Sequence, residues 1–229
     1  MVTIRHSDDR GIVNHGWLHA KHSFSFGNYY DPEHMGVSSL RVINDDQIQA
    51  GQGFPSHSHQ DMEIITYVTQ GCIEHKDSMG NIEVLPAGEF QLMSAGSGIT
   101  HSEYNPSADK TLKLFQIWIQ PDVLGIEPSY QQKRFEPKQG LQLIVSPDAR
   151  DDSFLVHQDA YLYLLKLNAN ASVSHTLRNG RTLYVHVVNG ELDIDGQVLT
   201  AGDAATIDTM TNINFKSVQE TEALIFDLA

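Results

Sequence analysis

Two short runs carry residues that could hold a transition-metal ion. The first is GQGFPSHSHQDMEIITYVTQG (51–71), with His57 and His59 two apart and Glu63 four further on. Side chains at i and i+2 of a strand lie on one face, so His57 and His59 point together. Glu63 joins them only if the strand runs unbroken. The second run is ITHSEYN (99–105), where the same rule places His101 and Glu103 on one face. Set opposite each other, the two runs put three imidazoles and a carboxylate around one point. Imidazole suits Zn, Cu, Fe and Ni, and a carboxylate adds charge neutralisation. An octahedral ion held by four protein ligands keeps two positions for water or substrate, and Fe(II) can use such positions for oxygen chemistry. A closed structural zinc more often draws on cysteine, and Cys72 alone cannot supply it. An HxH pair by itself recurs by chance on strand edges. A second pair, following the glycine-rich turn SAGSG (94–98), gives it weight.

The elements that must position these residues are strands. Short β-rich runs recur: LRVI (40–43), EIITYV (63–68), LKLFQIWI (112–119), LQLIV (141–145), YLYLLKL (161–167), TLYVHVV (182–188) and ALIFDL (223–228). Gly, Asn, Asp and Pro separate them. No segment sustains a 3.6-residue apolar period, so the fold class is all-β, a sandwich or barrel. Residues 65–93 and 183–207 repeat one pattern of strand, Gly, short strand, turn and strand. Gly71, Gly80 and Gly88 match Gly190, Gly196 and Gly202. Two duplicated small barrels follow from that repeat. The segment from Pro121 to Pro137 holds three of the eight prolines and reads as their link.

Composition narrows the function. The 229 residues are 40% hydrophobic and 19% charged, an ordinary globular mix. A net charge of −14 with scattered lysines and arginines argues against direct nucleic-acid binding. One cysteine excludes an intrachain disulfide and reads as a buried inert thiol. No secretory signal and no membrane span is visible, so a cytoplasmic protein is expected. Twelve histidines are about twice the usual share for this length. Of these, His22 is a candidate pocket residue, while His6, His75 and His157 are expected on the surface or in turns. Phe24, Phe26, Tyr29, Tyr30 and Trp118 are expected mostly in the core, with some facing a planar ligand.

The motifs also resemble a known family. The first metal run resembles the first cupin motif, and GNIEVLPAG (80–88) resembles the opening of the second, Gly-x5-Pro-x-Gly. The cupin pattern would then place a histidine at position 91, where this chain has Gln91, and the histidine arrives later, at His101. That departure is similar to the pirin family. HSFSFGNYYDP (22–32), LRVINDD (40–46) and SPDARD (146–151) also resemble pirin signatures. The resemblance implies an all-β bicupin of two consecutive jelly-roll barrels: a metal-binding domain over 1–125 and a metal-free one over 126–229. It implies His57, His59, His101 and Glu103 as ligands, with Glu63 demoted to the pocket. The implied metal is one divalent ion, Fe(II) favoured over Zn, Ni, Mn, Co or Cu. The implied activity is that credited to bacterial pirin-like proteins, quercetin 2,3-dioxygenase, acting on a flavonol-like substrate and O2 with release of carbon monoxide. Glu103, or else Glu63, would take the substrate's hydroxyl proton. A monomer is expected. The competing expectation is a redox-sensing regulatory protein that uses the metal to modulate a transcription factor or metabolic enzyme.

Overall fold

Alternation decides the local structure. The chain's apolar runs are rich in β-branched and aromatic residues and end on turn formers, which favours pleated strands over helices. The computed structural model describes residues 2–229. Its first half is built from β1 (Val2–Arg5), β2 (Gly11–Asn14), β3 (Leu18–His22), β4 (Leu40–Ile48), β5 (Gly53–His59), β6 (Glu63–Gln70), β7 (Cys72–Asp77), β8 (Ile82–Pro86), β9 (Phe90–Ser94), β10 (Ile99–Tyr104), β11 (Leu112–Ile119) and β12 (Ser129–Lys133). The second half adds β13 (Gly140–Ser146), β14 (Phe154–Leu155), β15 (Ala160–Leu167), β16 (Ser172–Thr176), β17 (Thr182–Asn189), β18 (Glu191–Ile194), β19 (Gln197–Thr200), β20 (Ala204–Ile207), β21 (Asn212–Lys216) and β22 (Thr221–Leu228). Among the described residues the only helical turns are 3-10 turns at Ser7–Asp9 and Arg150–Asp152. None is long and apolar enough to cross a membrane. The all-β bicupin expectation holds.

The chain forms two compact units, and they do not follow the chain linearly. One contains Gly11–Gly36 and Leu40–Phe135; the other contains Met1–Arg10, Val37–Ser39 and Glu136–Ala229. The expected division fell after residue 125. In the structure it falls after Phe135, and the first ten residues join the C-terminal set. The reason is strand pairing. β1 pairs antiparallel with β20, Val2 opposite Ile207. β12 pairs antiparallel with β9, Ser129 opposite Ser94. The segment read as a link therefore contains an edge strand. Its sequence, SYQQK, lacks the apolar alternation that would mark it.

The N-terminal unit has a seven-stranded sheet, β12-β9-β6-β11-β4-β3-β2, and a four-stranded sheet, β5-β10-β7-β8. Leu18, Ala20, Ile48, Val68, Leu112 and Leu114 of the larger sheet meet Ile73 and Leu85 of the smaller in one buried cluster. The C-terminal unit repeats the plan with β1-β20-β17-β22-β15-β13-β14 and β16-β21-β18-β19. Its core includes Leu183, Leu192, Ile213, Phe215 and Ile225. Each such fully buried side chain contributes about 1.5–3 kcal/mol relative to exposure. The turn glycines Gly71 and Gly190 hold matching φ values of 80° and 84°, as the repeat requires.

A charged cluster ties β16 to β22 in the C-terminal unit. His175 Nε2 donates to Asp227 Oδ2 at 2.9 Å, and Arg181 donates to the same carboxylate and to Asp159. Burial raises the Asp227 carboxyl, but the hydrogen bonds from His175 and Arg181 outweigh it and hold it below the ordinary carboxylate range. A carboxylate depressed on folding stabilises the fold above its unfolded pKa of about 3.9. That stability is lost as pH falls through the lower folded value. Asp227→Asn is therefore expected to cost about 2 kcal/mol at pH 7. The difference from the parent should shrink below about pH 4, as measured by denaturant unfolding at the two pH values.

Candidate metal centre

The two metal runs become neighbouring strands. β10 pairs with β5, His101 opposite His57, and with β7, Glu103 opposite His75. His57 and His59 alternate with exposed Ser58, while His101 and Glu103 are 2% exposed each. Between His101 and Glu103 the register slips, because β5 spends three steps from Phe54 to His57 against two on β10. The extra step holds Pro55, tolerated because β5 is an edge strand at a bulge. Gly53 completes the fit: a Cβ there would lie 2.2 Å from the Glu103 carbonyl.

Ring nitrogens of His57, His59 and His101 lie within 4.8 Å of one another. Hydrogen bonds on their far sides set which nitrogen faces inward. His57 Nδ1 lies 2.8 Å from the Pro55 carbonyl, so Nδ1 carries the proton and Nε2 the lone pair. Fully buried His75 bonds fully buried Asp77 at 3.0 Å through Nε2, leaving its Nδ1 to accept from His101 Nδ1 at 3.4 Å. The Asp77 carboxylate also accepts from the Asn81 amide and from the backbone N–H groups of Met79 and Asn81. Burial raises Asp77, yet its bonds to Asn81 and His75 outweigh that and keep it below the usual carboxylate range. His101 Nε2 is thus left bare, 3.1 Å from His57 Nε2. Two nitrogens each about 2.1 Å from one ion stand about 3 Å apart at a right angle. The observed spacing fits that arrangement. Burial, then His57, pushes His59 down to about 4. Burial, then His57, His59 and His75, pushes His101 down to about 3. Both rings are neutral at pH 7, the form that ligates a metal.

Glu103 lies with His101 and His75 in a second group within 4.8 Å, so His101 is common to both groups. Gln116 Nε2 donates to one Glu103 oxygen at 2.9 Å and Gln91 Nε2 to the other at 3.3 Å. Gln91, standing where the cupin pattern places histidine, thus supports the carboxylate. Its own carbonyl accepts from Tyr130 of β12 at 2.9 Å. Burial pushes Glu103 above the ordinary carboxylate range. Bare imidazole nitrogens beside a dry carboxylate call for a cation, and the donor set fits one divalent transition-metal ion.

Glu63 does not join this centre. β5 ends at His59, Asp61 turns the chain with φ 48°, and Glu63 begins β6. Its neighbour Ile64 lines the cavity, so Glu63 points to the other face, where it accepts from Ser94 Oγ at 2.7 Å. The expectation of Glu63 as a pocket residue or base is corrected by that alternation. His75 is a second correction: it is fully buried, not a surface or turn residue. Its signal was the spacing His75-x-Asp77, the same i, i+2 relation as His57-x-His59.

A cavity of about 360 Å³ opens beside the imidazoles. His59 packs edge-on against Trp118 at 4.9 Å, and Trp118 against Phe26 at 5.3 Å. His22 lines the cavity and bonds Asn44 at 2.6 Å. Trp17 and Phe54 also line it, though neither was singled out in the sequence. Exposed His15, Gly27 and Asn28 form its rim.

The C-terminal unit has the same frame without the donors. Its register sets His175 opposite Ile213 and Ile194 opposite Phe215. These pairs correspond to His57 with His101 and to His75 with Glu103. Ile194, Ile213 and Phe215 are packed into the core, and His175 is held by Asp227.

The architecture and the donor cluster define a bicupin with one furnished barrel. The chain belongs to the pirin family: the pirin model matches residues 4–119, and that of the quercetinase C-terminal cupin domain matches 143–228. It is 52% identical over 228 residues to a quercetin 2,3-dioxygenase of Escherichia coli K12, covering 100% of this chain and 99% of the relative. It is 39% identical to a pirin-like protein of Caulobacter vibrioides, with both chains fully covered. The crystal structure of the bacterial pirin YhhW from Escherichia coli in complex with nickel(II) superposes with a TM-score of 0.97 at 51% identity, covering 100% of this chain and 99% of that one.

Proposed function

We propose that this chain is a metal-dependent quercetin 2,3-dioxygenase. His57, His59, His101 and Glu103 would hold one divalent ion, with Fe(II) favoured. The observation that carries the reading is the cluster of His57, His59 and His101, with the buried Glu103 carboxylate grouped with the same His101, at an aromatic-walled cavity. The cavity volume of about 360 Å³ suits a small planar ligand. The relatives named for this activity support the substrate class.

When bound, the ion supplies Lewis acidity toward a substrate hydroxyl. Glu103 is the carboxylate placed to take that hydroxyl's proton on one of its oxygens. Gln91 and Gln116 keep the carboxylate aimed while it does so. Phe26, Trp118 and Ile64 bound the ring system and exclude water from it. The net reaction consumes a flavonol and O2 and releases carbon monoxide. The open rim at His15, Gly27 and Asn28 favours an enzyme over a sealed redox sensor. The enzyme would act as a cytoplasmic monomer.

Three measurements test this. Apoprotein loaded in turn with Fe, Ni, Co, Mn and Cu should take up oxygen as flavonol absorbance falls; no turnover with any of them overturns the flavonol assignment. Alanine at His57 or His101 should abolish metal binding, while Glu63→Ala should retain a full equivalent by metal analysis. Asp77→Asn should weaken metal affinity by about 10–100-fold in chelator competition, because His75 loses the carboxylate that fixes its tautomer and so keeps its Nδ1 as the acceptor for His101.

A further inference from the structure

The inner face of β4 carries Asn44, Asp46 and Ile48 in alternation. Asn44 belongs to a polar tier: it stands opposite His22 on β3 and Gln116 on β11, and Gln116 leads to Glu103. One step deeper the tier is apolar. Asp46 stands opposite Ala20 and Leu114, and Leu114 opposite Val68. These three neighbours belong to the buried cluster that Trp17, Phe54 and Val13 pack against. A leucine at position 46 would complete that tier.

Asp46 is 3% exposed, and its Oδ1 is sealed without a hydrogen-bond partner. The residue nevertheless lines the cavity, together with Val13, Trp17, Leu18 and Phe54. The cavity therefore runs from the imidazoles past the polar tier into an apolar arm, and Asp46 is the carboxyl in that arm. Burial, then Asp45 and Glu103, pushes it up to about 8, toward the protonated form. A neutral carboxyl offers one O–H donor and one carbonyl acceptor, the complement of a phenolic hydroxyl.

We propose that Asp46 is a specificity-determining residue, bonding a ring hydroxyl of the ligand at the inner end of the cavity, away from the metal. The proposal rests on the flavonol reading and adds to it a preference for ligands hydroxylated on their aromatic rings. A deep polar group that loses its ligand partner stays unpaired, and that discriminates against the analogue lacking the hydroxyl.

The test compares quercetin with 3-hydroxyflavone, which keeps the hydroxyl proposed to meet the metal and lacks the other four. Both are titrated against metal-loaded full-length protein. The parent should prefer quercetin. Asp46→Leu should weaken quercetin by about tenfold and leave 3-hydroxyflavone unchanged or tighter, with full metal content. In turnover it should raise KM for quercetin and preserve kcat. Asp46→Asn, which keeps a donor and an acceptor, should hold most of the preference; Asp46→Ala serves if leucine overpacks the site. An unchanged ratio of the two affinities in Asp46→Leu or Asp46→Ala, with metal retained, overturns the proposal alone. A metal-loaded parent that binds neither compound overturns the flavonol reading and this proposal together.

Discussion

The centre depends on how protons are placed on two imidazoles. His57 and His101 bring Nε2 atoms to 3.1 Å, and neither carries a proton toward the other. Facing lone pairs repel unless a cation lies between them, and each ring is pinned from behind so that both keep facing inward. A backbone carbonyl pins His57, and the buried His75–Asp77 pair pins His101. Remove either hold and the ring can rotate or take the other tautomer. The barrel serves that requirement: a bulge and a glycine on β5 set the approach, and two glutamine amides hold the carboxylate.

The C-terminal unit shows what the same frame becomes without donors. Apolar residues fill the corresponding interior positions. The furnished barrel keeps a cavity beside its apolar clusters, one around Ile73 and Leu85 and one around Ile64 and Ile99 against which Trp118 packs. Donors and cavity thus occupy one copy of a duplicated design.

Much of this was legible in the sequence, for physical reasons. Strand parity brought His57 with His59 and His101 with Glu103, and the turn glycines marked the duplication. Parity misled at Glu63, because the turn at Asp61 resets the alternation and sends that side chain to the opposite face. His75 was missed: its i, i+2 spacing to Asp77 was visible, but its place against Glu103 comes from pairing with β10, a contact distant in sequence. β12 was missed because an edge strand made of polar residues has no periodic signal. Asp46 lay in a recognised motif, yet its isolation among apolar neighbours appears only when β3, β4 and β11 are laid side by side.

The pairing of β1 with β20 sets the order in which the molecule can be completed. β20 emerges roughly two hundred residues after β1. Until then β1 has no ladder to join, while the unit with the imidazole cluster already holds all its strands once β12 has emerged. That half can therefore close on the nascent chain well before the other half. A fragment cut at the midpoint would not give two whole barrels: the C-terminal piece would lack β1 and leave the outer edge of β20 bare, a template for unwanted pairing. Residues 2–5 are thus a structural part of the C-terminal unit, and alterations to them fall on it.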